Sequence, residues 1–215
     1  RDPEMSRGLG DVYKRQAQGQ SILMQNYRQF IHQEYGVRQL LVEHTHFNDP
    51  EKREHIRRLL IRAAQQKTIP IVNYNDPVSD EENRKMELAI RRSHGDQVVE
   101  CVDNDETAAV IANLVHAKKL VLMTSTEGIY RDPADPKTLV EQVTAKSMEE
   151  LEEKVRQLQE SCVGASRAGA NGAKAKLEYA LKSARQGTMV IIGHARHRLS
   201  DLVEGRVACT RIGLE

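Results

Sequence analysis

The chain has 215 residues, enough to bury the core of an ordinary domain, and its 32 Lys and Arg against 31 Asp and Glu leave a formal net charge of +1. That balance supplies no global field for nucleic acid or an anionic membrane, so neither is expected as a partner and any anion site has to be local. Three widely spaced cysteines, Cys101, Cys162 and Cys209, argue against a disulfide framework, match no zinc spacing and fit a reducing, cytoplasmic compartment.

Residues 1–16, opening RDPEMSRGLG, have little hydrophobic periodicity and no apolar centre of a signal peptide; they read as a poorly ordered or non-native extension. Patterning begins near Ala17. QSILMQNYRQFIHQEY places Ile22, Met24, Tyr27, Ile31 and Tyr35 at roughly helical intervals, and VRQLLVEH follows Gly36 as a short strand. In NDPEKREHIRRLLIRAAQQ, Asp49 is the expected N-cap and Pro50 the first helical residue, with Ile56, Leu59, Leu60 and Ala63 as the buried stripe. IPIV reads as a buried strand. The polar segment from Asn73 to Gly95 holds a helix over DEENRKMELAIRR, and QVVECV reads as a further strand. A helix from about Asp105 to Ala117 leads to the strand KLVLMT. After the loop EGIYRDPADPKT, Ser147 and Glu150 form a capping box for a helix carrying Met148, Leu151, Val155 and Leu158. AKAKLEYALKSARQ is helical and TMVIIG a strand. No apolar run approaches the length that crosses a bilayer.

Alternating strands and helices predict an α/β fold, a largely parallel sheet covered on both faces. Ligands on such sheets bind outside the carboxyl ends of the strands, so the loops after IPIV, after KLVLMT and before KLEYA are the places for chemistry. In NYND, the side chains of Asn73, Asn75 and Asp76 offer amide donors and a carboxylate, or simply a turn. In VDND, capping needs one of Asp103, Asn104 and Asp105, and the other two are spare for a ligand or simply make a solvated cap. Thr124 and Ser125 put hydroxyls at a strand end, where either a nucleotide or ordinary strand-end polarity explains them. In GASRAGANGAKAK, glycines 164, 169 and 172 permit close backbone approach, and a helix start attracts phosphate, with Lys174 or Lys176 adding a point charge. The loop is not a Walker A sequence, because Ala170 and not lysine follows Gly169. A flexible helix entrance explains it equally well. His44 and His46 raise a metal reading, but no carboxylate or cysteine stands at a matching spacing, and an ordinary loop is expected. EKREHIRR reads as a solvated helix face.

Taken in order, GQSILMQ, IPIVNYND, VDND, LVLMTSTEGIYRDP and GANGAKAKLEYA resemble the amino acid kinase family, in the branch that phosphorylates glutamate. The resemblance runs from Ala17 to the end. It implies a three-layer αβα sandwich around a mainly parallel open sheet, with ATP and Mg²⁺ used to phosphorylate the side-chain carboxylate of glutamate in proline synthesis, and a homo-oligomer. By position, it makes Lys176 the catalytic lysine and Asp105 the aspartate that organises the catalytic lysines. Asn73, Asn75, Asp76 and Asn104 become substrate contacts, with Asp76 facing the substrate amine. Thr124, Ser125 and the loop of Gly169, Ala170, Asn171, Gly172, Ala173, Lys174 and Lys176 become the ATP contacts.

Departures from the family pattern bear on specificity. Tyr74 stands where the family has glutamate, Ser125 where it has aspartate, and Asn171, Ala173 and Ala175 alter the glycine-rich loop. The segment between NYND and VDND is longer than in relatives. The family's first strand, and its glycine- and serine-rich loop with a further lysine, do not precede GQSILMQ. Residues 17–215 are therefore expected to be a partial kinase domain that, as it stands, binds ATP poorly. Two other readings stay open: a family member for another acceptor, an acidic metabolite or a nucleoside monophosphate, and a degenerate nucleotide-binding paralogue.

Overall fold

A computed structural model of the protein describes residues 18–75, 81–93, 98–101, 103–132, 134–161 and 172–215. The chain divides into two units, Arg1–Asn104 and Asp105–Glu215.

In the first unit, helix α1 spans 18–30. It ends short of the predicted Tyr35, because a turn closed by Tyr35 N–H on the His32 carbonyl at 2.9 Å leads into Gly36. Met24 is buried, whereas Ile22, Tyr27 and Phe30 stay exposed. Strand β1, Gly36–Val42, pairs in parallel with β2, Thr68–Tyr74, from Gly36 opposite Thr68 to Val42 opposite Tyr74. The crossover between them holds two helices, α2 at His44–Asn48 and α3 at Pro50–Gln65. Helix α3 begins where predicted: Asp49 Oδ1 accepts from the backbone N–H of Glu51 at 2.9 Å and of Lys52 at 3.0 Å. Ile56, Leu60 and Ala63, spaced four and three apart, form its buried stripe. On its outer face, hydrogen bonds from Arg57 and then Arg58 hold the Glu54 carboxyl down to about 2.

Three further expectations are corrected in this unit. The predicted strand VRQLLVEH stops at Val42, because Glu43 and His44 turn into α2; Glu43 N–H donates to His46 Nδ1 at 2.9 Å. The predicted loop at His44 and His46 is therefore helical. The predicted strand QVVECV is not one at its described positions, 98–101. The backbone of Val99 is held instead by a side chain, its N–H on Asn48 Oδ1 and its carbonyl on Asn48 Nδ2, each at 2.8 Å, and Cys101 has φ 52°, which breaks an extended run. Helix α4, Glu81–Ser93, forms as read and buries Leu88.

Helix α5, Asn104–Leu114, crosses into the second unit. It ends before the predicted Ala117, with His116 at φ 51°. Then come β3 at Lys119–Thr124, a 3₁₀ turn at Pro136–Thr138, β4 at Gln142–Ala145, α6 at Met148–Ser161, α7 at Gly172–Ala184, β5 at Met189–His194, α8 at Leu199–Glu204 and β6 at Cys209–Leu214. The sheet order is β3-β5-β6-β4; β3/β5 and β4/β6 are parallel and β5/β6 antiparallel. Parallel pairing therefore dominates among the described strands, as expected for this α/β class. Strands β4 and β6 and helix α8 were not foreseen.

Alternation sends successive side chains of a strand to opposite faces. Val190, Ile192 and Ile212 accordingly join Leu151, Val155, Leu158, Leu177 and Ala180 of α6 and α7 in one core, whereas Ile191 packs with Leu202 of α8 on the other face. Helices thus cover both faces of this sheet. Half of the predicted capping box forms, with Glu150 N–H on Ser147 Oγ at 3.2 Å, while the Glu150 carboxylate accepts from Lys146 N–H at 3.4 Å. Gly128 lies against β6: a Cβ there would sit 2.4 Å from Thr210 Oγ1. That buried hydroxyl accepts from Ile129 N–H at 2.8 Å and donates to the Val140 carbonyl at 2.7 Å.

Candidate active site

Two helices of the second unit lead by short turns into parallel strands, α5 into β3 and α7 into β5. At the amino ends of these strands, Thr188 Oγ1 donates to the Ala117 carbonyl at 2.7 Å and Met189 N–H to the Lys118 carbonyl at 3.0 Å. A helix that precedes a parallel strand runs back along it, so the N-termini of α5 and α7 come to the carboxyl ends of β3 and β5.

There Lys176 Nζ pairs with Asp105 Oδ2, joining residues 71 apart in sequence. Both side chains are about a quarter exposed, 23% and 26%, so the pair is reachable by a ligand and only partly shielded from water. Helical spacing explains which lysine is used. Lys176 shares its side of α7 with Ala173 and the fully buried Leu177, whereas Lys174 and Glu178 point to solvent. Asp105 sits in the first turn of α5, where unpaired N–H groups favour a carboxylate. Gly172, at φ 40°, begins α7 with a backbone conformation that other residues rarely adopt.

Other sequence candidates belong to the same unit. Thr124 ends β3, half-buried, and its carbonyl accepts from Ala195 N–H at 2.8 Å, which ties the carboxyl end of β3 to the loop after β5. Ser125, one residue on, is exposed, and so is Lys174. Gly169, Ala170 and Asn171 lie outside the described residues. At the same strand ends the structure adds a cluster that sequence reading left out. The Glu127 carboxylate, 17% exposed, pairs with Arg196 and lies 2.7 Å from His197 Nε2. A carboxylate only accepts, so Nε2 carries the proton. The signal was available: HARH directly follows the strand TMVIIG, where a ligand loop belongs.

In the first unit, Asn73 and Asn75 flank Tyr74 at the carboxyl end of β2. Alternation places the two asparagines on one face and Tyr74, 7% exposed, on the other. Asn75 is held by its N–H on the Val42 carbonyl at 2.9 Å and by its Nδ2 on Glu43 Oε1 at 2.8 Å. Asn73 Oδ1 accepts from Tyr74 N–H at 3.0 Å. Asn104 is exposed at the start of α5, and Asp76 lies outside the described residues. His44, half of the sequence-level metal candidate, is hydrogen-bonded to Tyr74 and Glu87.

The geometry of the second unit suits an anion. An ammonium has three N–H donors, and among the described residues Asp105 takes one, so an anion beside the helix N-terminus would find donors there.

Comparisons with known proteins bear on the family of the chain. The model of the amino acid kinase family matches residues 14–194. Glutamate 5-kinase of Geobacillus thermodenitrificans (strain NG80-2) is 32% identical over 202 residues, 92% of this chain and 48% of that protein. Glutamate 5-kinase 1 of Bacillus subtilis (strain 168) is 29% identical over 201 residues, 92% of this chain and 49% of that protein. The chain thus spans about half the length of the curated relatives it matches. A solved carbamate kinase from Giardia lamblia bound to AMP-PNP aligns with a TM-score of 0.50 at 14% identity, over 74% of this chain and 44% of that one, a likeness of fold alone. With its family match running from residue 14 to residue 194, across both units, this chain belongs to the amino acid kinase family.

Proposed function

We propose that the protein phosphorylates the side-chain carboxylate of glutamate with ATP, yielding γ-glutamyl phosphate and ADP, the step that opens proline synthesis. The observation that carries this reading is the Lys176–Asp105 pair at the starts of α7 and α5, in a family member similar to glutamate 5-kinases.

In the proposed reaction a carboxylate oxygen of the acceptor attacks the γ-phosphorus and the bond to the β–γ bridging oxygen breaks. Phosphoryl transfer asks chiefly for alignment and for positive charge against the equatorial oxygens. Lys176 provides that charge. Asp105 holds the ammonium in place and takes no proton, because the acceptor is already ionised at neutral pH. Thr124, Ser125 and the 169–174 loop contact ATP, and Asn73, Asn75, Asp76 and Asn104 contact the acceptor. Mg²⁺ would be carried on the triphosphate, whose charge it would offset. Self-association and a cytoplasmic location complete the proposal; among the described residues no helix is long and apolar enough to cross a membrane.

A second reading, phosphorylation of a different acidic acceptor, is favoured by the helix α4, Glu81–Ser93, which lies between the acceptor candidates Asn75 and Asn104. Trapping the acyl phosphate with hydroxylamine, using full-length protein, ATP and a panel of glutamate, aspartate and N-acetylglutamate, decides between them. Hydroxamate from glutamate is the expected result. Product from another acceptor alone moves the assignment to the second reading, and ATP binding with no product removes both.

A further inference from the structure

His44 is a buried titratable side chain that the proposed chemistry does not use. It is 5% exposed, and both ring nitrogens are engaged: Nδ1 lies 3.0 Å from the Tyr74 hydroxyl and Nε2 lies 3.1 Å from Glu87 Oε2. The Glu87 carboxylate only accepts, so Nε2 donates to it, and Nδ1 bonds the Tyr74 hydroxyl. The chain of bonds therefore runs from Tyr74, between Asn73 and Asn75, through α2 to α4. Arg84, three residues before Glu87 and so on the same side of α4, places its guanidinium carbon 5.8 Å from the centre of the Tyr74 ring.

One turn beyond His44, on the same side of α2, Asn48 binds both backbone groups of Val99 at 2.8 Å. The segment that leaves Asn75 and returns to Asn104 is thus gripped at both arms by one five-residue helix, through His44 on the outgoing arm and Asn48 on the returning arm.

We infer that His44 and Asn48 are positioning residues, which clasp α4 and residues 98–101 to the carboxyl end of β2 and thereby set the affinity and selectivity for the acceptor. The inference rests on the assignment of Asn73 and Asn75 to the acceptor. Neither residue touches the reacting atoms. Their effect falls on acceptor binding and leaves the phosphoryl-transfer machinery of the second unit alone.

The test uses Glu87, whose side chain is 51% exposed, so that its loss leaves folding intact. In full-length protein, Glu87→Ala is expected to raise the KM for the acceptor about tenfold with kcat and the KM for ATP within twofold. It should also change the ratio of kcat/KM between glutamate and aspartate. Glu87→Gln keeps an oxygen that accepts from Nε2 and is expected to behave like the unaltered protein, whereas Asn48→Ala should repeat the Glu87→Ala pattern. An unchanged acceptor KM and selectivity in Glu87→Ala overturns the inference, and so does an equal loss in Glu87→Gln.

Hydrogen exchange separates this result from a failure of the glutamate reading. Should the unaltered protein phosphorylate none of the three acceptors, the functional assignment falls while the clasp is still measured. Faster exchange at the amides of Tyr74, Asn75 and Val99 in Glu87→Ala supports it, and unchanged exchange there overturns it.

Discussion

Two lysines stand two residues apart at the start of α7, and their fates differ because a helix turns 100° per residue. Lys174 faces solvent; Lys176 faces the fold and meets Asp105. The difference is testable. Lys176→Ala removes one preorganised positive group from the transferring phosphoryl, a loss that typically lowers turnover about 100- to 1000-fold. The partly exposed ion pair contributes on the order of 1 kcal/mol or less to stability, so the melting temperature should scarcely move. Lys174→Ala, on the solvent side of the helix, should lower turnover far less than Lys176→Ala, any effect falling on the KM for ATP. Steady-state kinetics and thermal melts of both variants check this, and equal activity in Lys176→Ala would remove the lysine from the mechanism. At this scale the resemblance named Lys176 and made Asp105 the organiser of the lysines; the structure adds the direct contact between them. Tyr74 was legible only as a departure from the family. The reason it tolerates burial, a hydrogen bond to His44 from 30 residues away, has no trace in local sequence.

Among the elements, periodicity worked where segments were long. Helices α3, α4, α6 and α7 form close to where the spacing of apolar residues and the capping residues put them. Strands β4 and β6 escaped because four residues, and six interrupted by Thr210 and Gly213, are too short or too polar to show an alternating pattern. The residues 98–101 misled in the opposite sense: Val98 and Val99 have strand propensity, yet their partner is the Asn48 side chain and no neighbouring strand pairs with them among the described residues. Thr210 is tolerated in the core because its hydroxyl joins the loop after β3 to the segment before β4. Thr210→Val keeps the shape and leaves the Ile129 N–H without its acceptor, which should destabilise the protein by about 1–3 kcal/mol in urea unfolding. A variant as stable as the parent would show that water or another group takes over the Ile129 N–H.

On the scale of the whole molecule, the two units differ in how their sheets are protected. Val190, Ile191, Ile192 and Ile212 are fully buried at the centre of a four-stranded sheet with helices on both faces. Strands β1 and β2 pair only with each other among the described residues and are largely half-exposed. Local opening follows burial and contact density, and two strands alone are marginal. Native-state hydrogen exchange should therefore find the slowest amides in β5 and β6, and amides of β1 and β2 exchanging at least tenfold faster. Equal protection in both sheets would contradict that order.

The sequence by itself determined the α/β class, the long helices with their caps, the family and the candidates on which its chemistry depends. These follow from patterns within a few residues or from ordered motifs along one chain. Only the tertiary structure decided that Lys176 closes on Asp105, that Tyr74 turns from the asparagines beside it toward His44, and that α2 grips both arms of the long segment. Each of these joins residues about 30 to 70 positions apart, and such contacts depend on how the crossovers return the chain, which no local periodicity encodes.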